Sequence, residues 1–251
     1  MNYAFQMAYD GRDFSGWQRQ HHSRGVQEEI EKALEEISSR EVSVVAAGRT
    51  DKGVHARCQI ISSELPRIWE PQRLRLALDA CLPSSIRTIR VAPADPSFNA
   101  RYDAQWREYV YFLWFPRYTY PHLHGYSWAL HRSWQDEPVR RACAYFEGTH
   151  DFSSFCRAMD LPENPVRTLY RVSFRRKGPL GWLRIRGNAF LTNMVRIMVG
   201  SLHEVGLGRK DPLWIKELLE EHRDRESAGR TAPPEGLFLW NVGYEKRLWS
   251  S

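Results

Sequence analysis

Along the first residues, Tyr3, Phe5, Met7 and Tyr9 alternate with Ala4, Gln6 and Ala8, the two-residue period of a strand that ends at Asp10-Gly11. Arg12 to Gln20 is polar and punctuated by glycine, which predicts a loop. From Val26, the residues Ile30, Ala33, Leu34 and Ile37 recur at helical spacing with Glu and Lys between them, an amphipathic helix. Val42 to Val45 and Ile60 to Ile61 are β-branched runs, read as a strand and its return. Between them lies Gly48-Arg49-Thr50-Asp51-Lys52-Gly53-Val54-His55-Ala56, read as a loop. Pro71 opens a second helix through Leu74, Ala77, Leu78 and Cys81 that Pro83 stops, and Ile86 to Val91 predicts a strand.

After a proline-rich connection over residues 92–105, Arg107 to Trp114 is apolar on both faces, as a central strand buried from two sides would be. A helix is predicted from Glu137 to Glu147. Residues 166–176 alternate strictly and turn through Lys177 to Gly181 into Trp182 to Arg186, a hairpin carrying a strip of arginines. Ala189 to Val205 is apolar nearly all round and predicts one deeply packed helix. Asp211-Pro212 caps a last helix through His222; residues 221–235 read as a mobile loop, and a final strand runs through Tyr244. Strands and helices alternate irregularly, with several hairpins, which is an α+β pattern.

Composition sharpens the choice of partner. A formal charge of +6 and a pI near 9.2 favour an anionic partner. Arginine recurs throughout, and its planar fork suits phosphates and stacks on bases. Nucleic acid is the leading partner class. No apolar run approaches the roughly 20 residues of a bilayer span, and Met-Asn-Tyr-Ala-Phe-Gln has no leader pattern, so a cytoplasmic protein is expected. Cys58, Cys81, Cys143 and Cys156 lack metal or disulfide spacing and read as reduced core residues. His122-x-His124 has no third ligand spaced near it, and no nucleotide-binding or metalloprotease motif occurs. Metal-dependent and nucleotide-dependent chemistry is disfavoured.

Three candidates for chemistry remain. Gly48 and Gly53 allow sharp turns around Arg49, Asp51 and His55, although Asp-Lys-Gly between strands is also an ordinary hairpin signal. Arg196, in an apolar helix with Asn193, Gly200 and His203 on nearly the same stripe, cannot shed its charge and needs a partner. That partner is either a structural carboxylate or Asp51. Tyr109, on the central strand, is either a core tyrosine with a satisfied hydroxyl or part of a site.

At this point the motifs become recognisable. Tyr9-Asp10-Gly11 with Phe14 and Gly16-Trp17-Gln18, the Gly48 to Ala56 block, Phe98-Asn99-Ala100-Arg101, Arg107-Glu108-Tyr109-Val110-Tyr111, Asp151-Phe152-Ser153-Ser154-Phe155, Asn188 to Leu191 with Met194-Val195-Arg196, and Glu235 to Leu239 stand in order. Together they resemble the tRNA pseudouridine synthase A family from end to end.

The resemblance implies a cofactor-free homodimer that converts uridine to pseudouridine at positions 38, 39 and 40 in the anticodon stem-loop of tRNA. It implies a mostly antiparallel sheet with flanking helices, in two similar halves: residues 1–105 carrying the aspartate loop and 106–251 completing a central cleft. By the family motif Asp51 is the catalytic aspartate and Arg196 its ion-pair partner. Tyr109 packs on the target base, Arg49 helps hold the flipped-out nucleotide, and Leu237 lines the pocket. No metal is implied. Val110 departs from the family, which usually carries a basic residue there. The catalytic residues do not encode the target, so a synthase for another RNA position stays open, as does a tRNA-binding module without catalysis.

Overall fold

The computed structural model describes residues 1–20, 22–116, 118, 120–130, 133–221 and 224–249. In chain order its elements are β1 (Asn2–Tyr9), α1 (Val26–Ser38), β2 (Val45–Ala46), β3 (His55–Glu64), α2 (Pro71–Cys81), β4 (Ile86–Pro93), β5 (Ala104–Trp114), β6 (Trp128–Ala129), α3 (Asp136–Tyr145), β7 (Gly148–Asp151), β8 (Val166–Lys177), β9 (Leu180–Gly187), α4 (Met194–Gly206), α5 (Leu213–Glu220) and β10 (Leu237–Tyr244). The protein is α+β, with mostly antiparallel strand pairing. It forms two compact units, Met1–Arg107 with Phe238–Ser251, and Glu108–Leu237.

In the first unit the strands run in the order β4-β1-β3-β10. β1 pairs antiparallel with both β3 and β4, β2 pairs antiparallel with β3, and β10 joins β3 in parallel, Phe238 beside His55 and Leu239 beside Ala56. The alternation in β1 holds from Phe5 to Tyr9, while Ala4 is buried along with its neighbours. Tyr3, Phe5 and Met7 are fully buried, as are Ile30 and Leu34 of α1 and Leu74 and Leu78 of α2, while Gln6 and Ala8 stay half-exposed. Glu70 caps α2 by accepting from the Gln72 and Arg73 amides, satisfying donors that the first turn leaves free.

The second unit has the order β5-β9-β8-β7, with β6 parallel to the end of β5. Helices α3, α4 and α5 build its core, where Val139, Ile197, Met198, Leu202, Ile215 and Leu218 are all fully buried. The Asp151 to Phe155 motif is part of that core. Phe152 and Phe155 pack on Phe146, and the Ser154 hydroxyl donates to the Leu218 carbonyl of α5.

Several expectations need correction. The segment from Arg12 to Gln20 is a loop as expected, but it buries two aromatics: Phe14 and Trp17 are 2% and 3% exposed. The strand expected at Val42 to Val45 shortens to β2, and β3 begins as early as His55. Strict alternation along β8 fails because the register against β9 shifts between Leu169 and Arg171. The bulge puts Tyr170 and Arg171 both outward and leaves Leu169 and Val172 both buried, so the inward face changes parity.

Helix α4 starts five residues later than its apolar run predicts. The Asn188 side chain accepts from the Thr168 and Ala189 amides, and Asn193 takes a left-handed conformation with φ of 60°, which stops the helix extending toward Ala189. Asp211 does cap α5, through the Leu213 amide, and the helix ends at Glu220; its expected end at His222 lies outside the described residues. Three cysteines are buried as expected, but Cys81 at the end of α2 is only partly so. Burial pushes the Cys143 thiol up to about 12.

Candidate active site

The loop before β3 is held by backbone on several sides. Ala47 N–H donates to the Ile60 carbonyl, the Gln59 side chain donates to Gly48 O at 2.7 Å, and Arg107 Nε donates to Ala47 O at 2.9 Å. Thr50 is buried, and its Oγ1 lies 2.8 Å from the Tyr9 hydroxyl. Burial raises the Tyr9 phenol to about 12, so it stays protonated and neutral against the loop. The Val54 amide closes a turn onto the Asp51 carbonyl at 3.1 Å, and Gly53 supplies the positive φ of 78° that the turn requires.

Two further glycines allow the preceding segment to press against this loop. A Cβ on Gly11 would stand 2.1 Å from Val54 O, and one on Gly16, whose φ is +107°, would stand 2.9 Å from Thr50 O and 3.3 Å from Asp51 C. The Trp17 amide donates to that same Thr50 carbonyl at 3.0 Å. His55 is buried below the loop, stacked on Phe238 with 4.5 Å between ring centroids, its Nδ1 accepting from Gly11 N–H and lying 3.3 Å from Asp10 Oδ1. The result is a rigid loop that presents a half-buried Asp51 beside an exposed Arg49. Tyr9, Gly11, Gly16 and Arg107 are the supporting residues that the sequence did not reveal as such, because their partners lie tens of positions away.

In the second unit Tyr109 is 7% exposed on β5, with its ring edge-on to Phe190 at 5.0 Å. Val110 beside it is buried in the core. Arg196 stands in the first turn of α4. Its Nη1 donates to Asn193 Oδ1 and its Nε to Ala232 O, each at 2.8 Å, and the Ala232 amide returns a bond to the Arg196 carbonyl. The left-handed Asn193 thus both starts the helix and orients the guanidinium. The stretch around Ala232 is clamped further: Gly229 N–H donates to Ser201 Oγ, and a Cβ on Gly200 would stand 1.6 Å from Arg230 O. Leu237, buried at the start of β10, follows Gly236, where a Cβ would clash with the Tyr111 ring at 2.6 Å.

The arginine strip is only partly a free surface. Arg184 and Arg186 flank Glu108, which is 3% exposed and accepts from Arg186 at 2.8 Å and 3.0 Å, while Arg176 lies over the Phe115 ring. No group of three or more His, Cys, Asp or Glu side chains among the described residues is placed to hold a metal ion.

A family model described as tRNA pseudouridine synthase matches residues 6–103 and 142–245. The chain belongs to the tRNA pseudouridine synthase family. It is 42% identical over 238 residues to tRNA pseudouridine synthase A of Brevibacillus brevis, covering 95% of this chain and 97% of the relative. The protein of that name from Bacillus subtilis is 41% identical over 95% of this chain and 97% of its own, and that of Francisella tularensis subsp. novicida 38% over 97% and 94%. Among solved structures, a chain of a Cbf5-Nop10-Gar1 complex aligns at a TM-score of 0.36 with 11% identity, over 96% of this chain and 60% of its own.

Proposed function

We propose that this chain isomerises uridine to pseudouridine in tRNA, at positions 38, 39 and 40 of the anticodon stem-loop, as a cytoplasmic homodimer. The observation that carries the reading is the Gly48 to Ala56 loop, with Asp51 braced by Gly11 and Gly16, in a chain of this family. Isomerisation breaks the N1–C1′ bond, turns the uracil and joins C5 to C1′. N1 gains a proton and C5 loses one, so atoms balance within the substrate and solvent and nothing is consumed.

Asp51 is the catalytic carboxylate. A fixed loop suits that role, because a reacting group displaced by about 1 Å can lose ~100-fold in rate. Arg196 is its ion-pair partner, since an opposite charge nearby favours the ionised form of a carboxylate in a dry pocket. A base stacked in a helix cannot be reached, so the nucleotide is extruded at a cost of a few kcal/mol. Tyr109 packs on the extruded base, Arg49 helps hold the flipped-out nucleotide and Leu237 lines the pocket. The exposure of Arg49 and the burial of Leu237 suit these parts.

The test is tritium release from tRNA transcribed with uridine labelled at C5, with and without EDTA. Release that survives EDTA, together with mapping of pseudouridine to positions 38 to 40, is the expected result. Release mapped to other positions would replace the target. No release from a folded protein that binds tRNA would leave a binding module.

A further inference from the structure

The first unit carries a second feature that the reaction does not use. A cleft of about 440 Å³ is lined by Arg57, Arg90, Lys246, Arg247, Gln6 and Asn241, with no Asp or Glu among its lining residues. Several surface arginines elsewhere stand in ion pairs: Arg12 with Asp10, Arg19 with Glu31, Arg157 with Asp160 and Arg209 with Glu204. None of the four cations at the cleft forms an ion pair among the described residues.

The uncharged groups point the same way. Asn241 Oδ1 accepts from the Val242 amide at 3.0 Å and lies 3.6 Å from Cys58 Sγ, which fixes the amide orientation and leaves its Nδ2 donors unused among the described residues. Arg57 lies over the Trp240 ring at 4.8 Å, a cation–π contact. The cleft therefore offers several donors and four positive charges, and no carboxylate. Its chemistry fits phosphodiester oxygens, and its size exceeds that of one phosphate.

We infer that this cleft holds the phosphodiester backbone of the RNA substrate, away from the nucleotide that reacts. The inference rests on the proposed function for the identity of the RNA. Cys58 follows Asp51 by seven residues, a span of at most ~25 Å in extended chain, so one folded RNA can engage both loop and cleft.

The experiment is tRNA binding as a function of salt for the native chain and for Arg90→Glu/Lys246→Glu, two exposed side chains outside the catalytic machinery. A Lys32→Glu/Lys216→Glu double variant controls for net charge. The expected result is a weaker Kd, a salt slope lowered by about 0.7–0.9 for each phosphate that the variant no longer neutralises, and an unchanged kcat at saturating tRNA. The control keeps the native slope. An unchanged slope in the cleft variant, or an equal loss in the control, overturns the inference. A changed oligomeric state with unchanged slope also overturns it, giving the face to a second copy of the chain. Binding is read without turnover, so failure here is distinct from a native chain that does not isomerise tRNA.

Discussion

Gly11 presses against Val54 so closely that a side-chain carbon at Gly11 would stand 2.1 Å from the Val54 carbonyl oxygen. Val54 closes the turn that begins at Asp51, and the carbonyl carbon of its neighbour Gly53 would lie 2.8 Å from that same added carbon. Since the obstacle is backbone, no rotamer change relieves it. Gly11→Ala should displace the loop, lowering stability by about 1–3 kcal/mol, as overpacking does, and kcat by ~100-fold. Urea midpoints and tritium release measure the two. A variant with native kcat would show that the loop position is not held from this side.

Asp51→Asn keeps the shape of the loop and removes the charge. Turnover should vanish while tRNA binding stays within a few-fold of native, because phosphate contacts supply most of the affinity. Unchanged turnover would sink the catalytic assignment.

Arg196→Ala should harm both catalysis and stability. It deletes the bond to Ala232 O that ties the 228–232 segment to α4 and the bond to Asn193 Oδ1 at the helix start, and hydrogen bonds to charged groups are worth about 1.5–3 kcal/mol. Lysine restores the charge but not the fork, so Arg196→Lys should recover stability in part and turnover hardly at all. Thermal unfolding and single-turnover rates on the same preparations separate the two losses.

These predictions lean on relationships of different legibility. β1, α1 and α2 could be read from hydrophobic period, and β5 from an apolar run on both faces, because each buries one face or both against neighbours that any core would supply. The start of α4 could not: Leu191 and Phe190 continue the apolar run, and only the positive φ at Asn193 and the side-chain bonds of Asn188 break the helix. The bulge at Tyr170 is equally silent, since one extra residue in β8 leaves the alternation of residue types intact while reversing which of them point inward. In the site, Asp51 stood out by its flanking glycines. Gly16 and Phe14 did not, because a polar, glycine-rich stretch looks solvated until Thr50 and the core are placed against it.

His203 couples the second unit to pH. Its ring stacks on Trp128 at 4.6 Å and lies near Trp134; the charged groups facing it are Glu204, Arg230 and Arg209. Burial, the larger cause, lowers its pKa below 6.5, and Arg230 adds to the shift while Glu204 opposes it. The folded state therefore prefers neutral His203. Its contribution is intact above the unfolded pKa and is lost as pH falls from about 6.5 through the lower folded value. Melting temperature of the native chain should drop over that window, and His203→Gln should flatten the drop. An identical slope in the variant would place the acid sensitivity elsewhere.

Gly200→Ala tests whether the chain crossing α4 positions Arg196. The added carbon would stand 1.6 Å from the Arg230 carbonyl oxygen, so the 228–232 segment must lift away from the helix. Lifting it strains the Gly229 to Ser201 bond and the paired bonds between Ala232 and Arg196. Ser201→Ala provides the comparison, because it removes one of those bonds without forcing the backbones apart. It should cost about 1 kcal/mol and leave kcat near native, whereas Gly200→Ala should lose more stability and, through the displaced guanidinium, at least ~10-fold in kcat. If both variants lose stability alone and keep native kcat, the crossing serves the fold, and Arg196 is positioned from Asn193 and the helix itself.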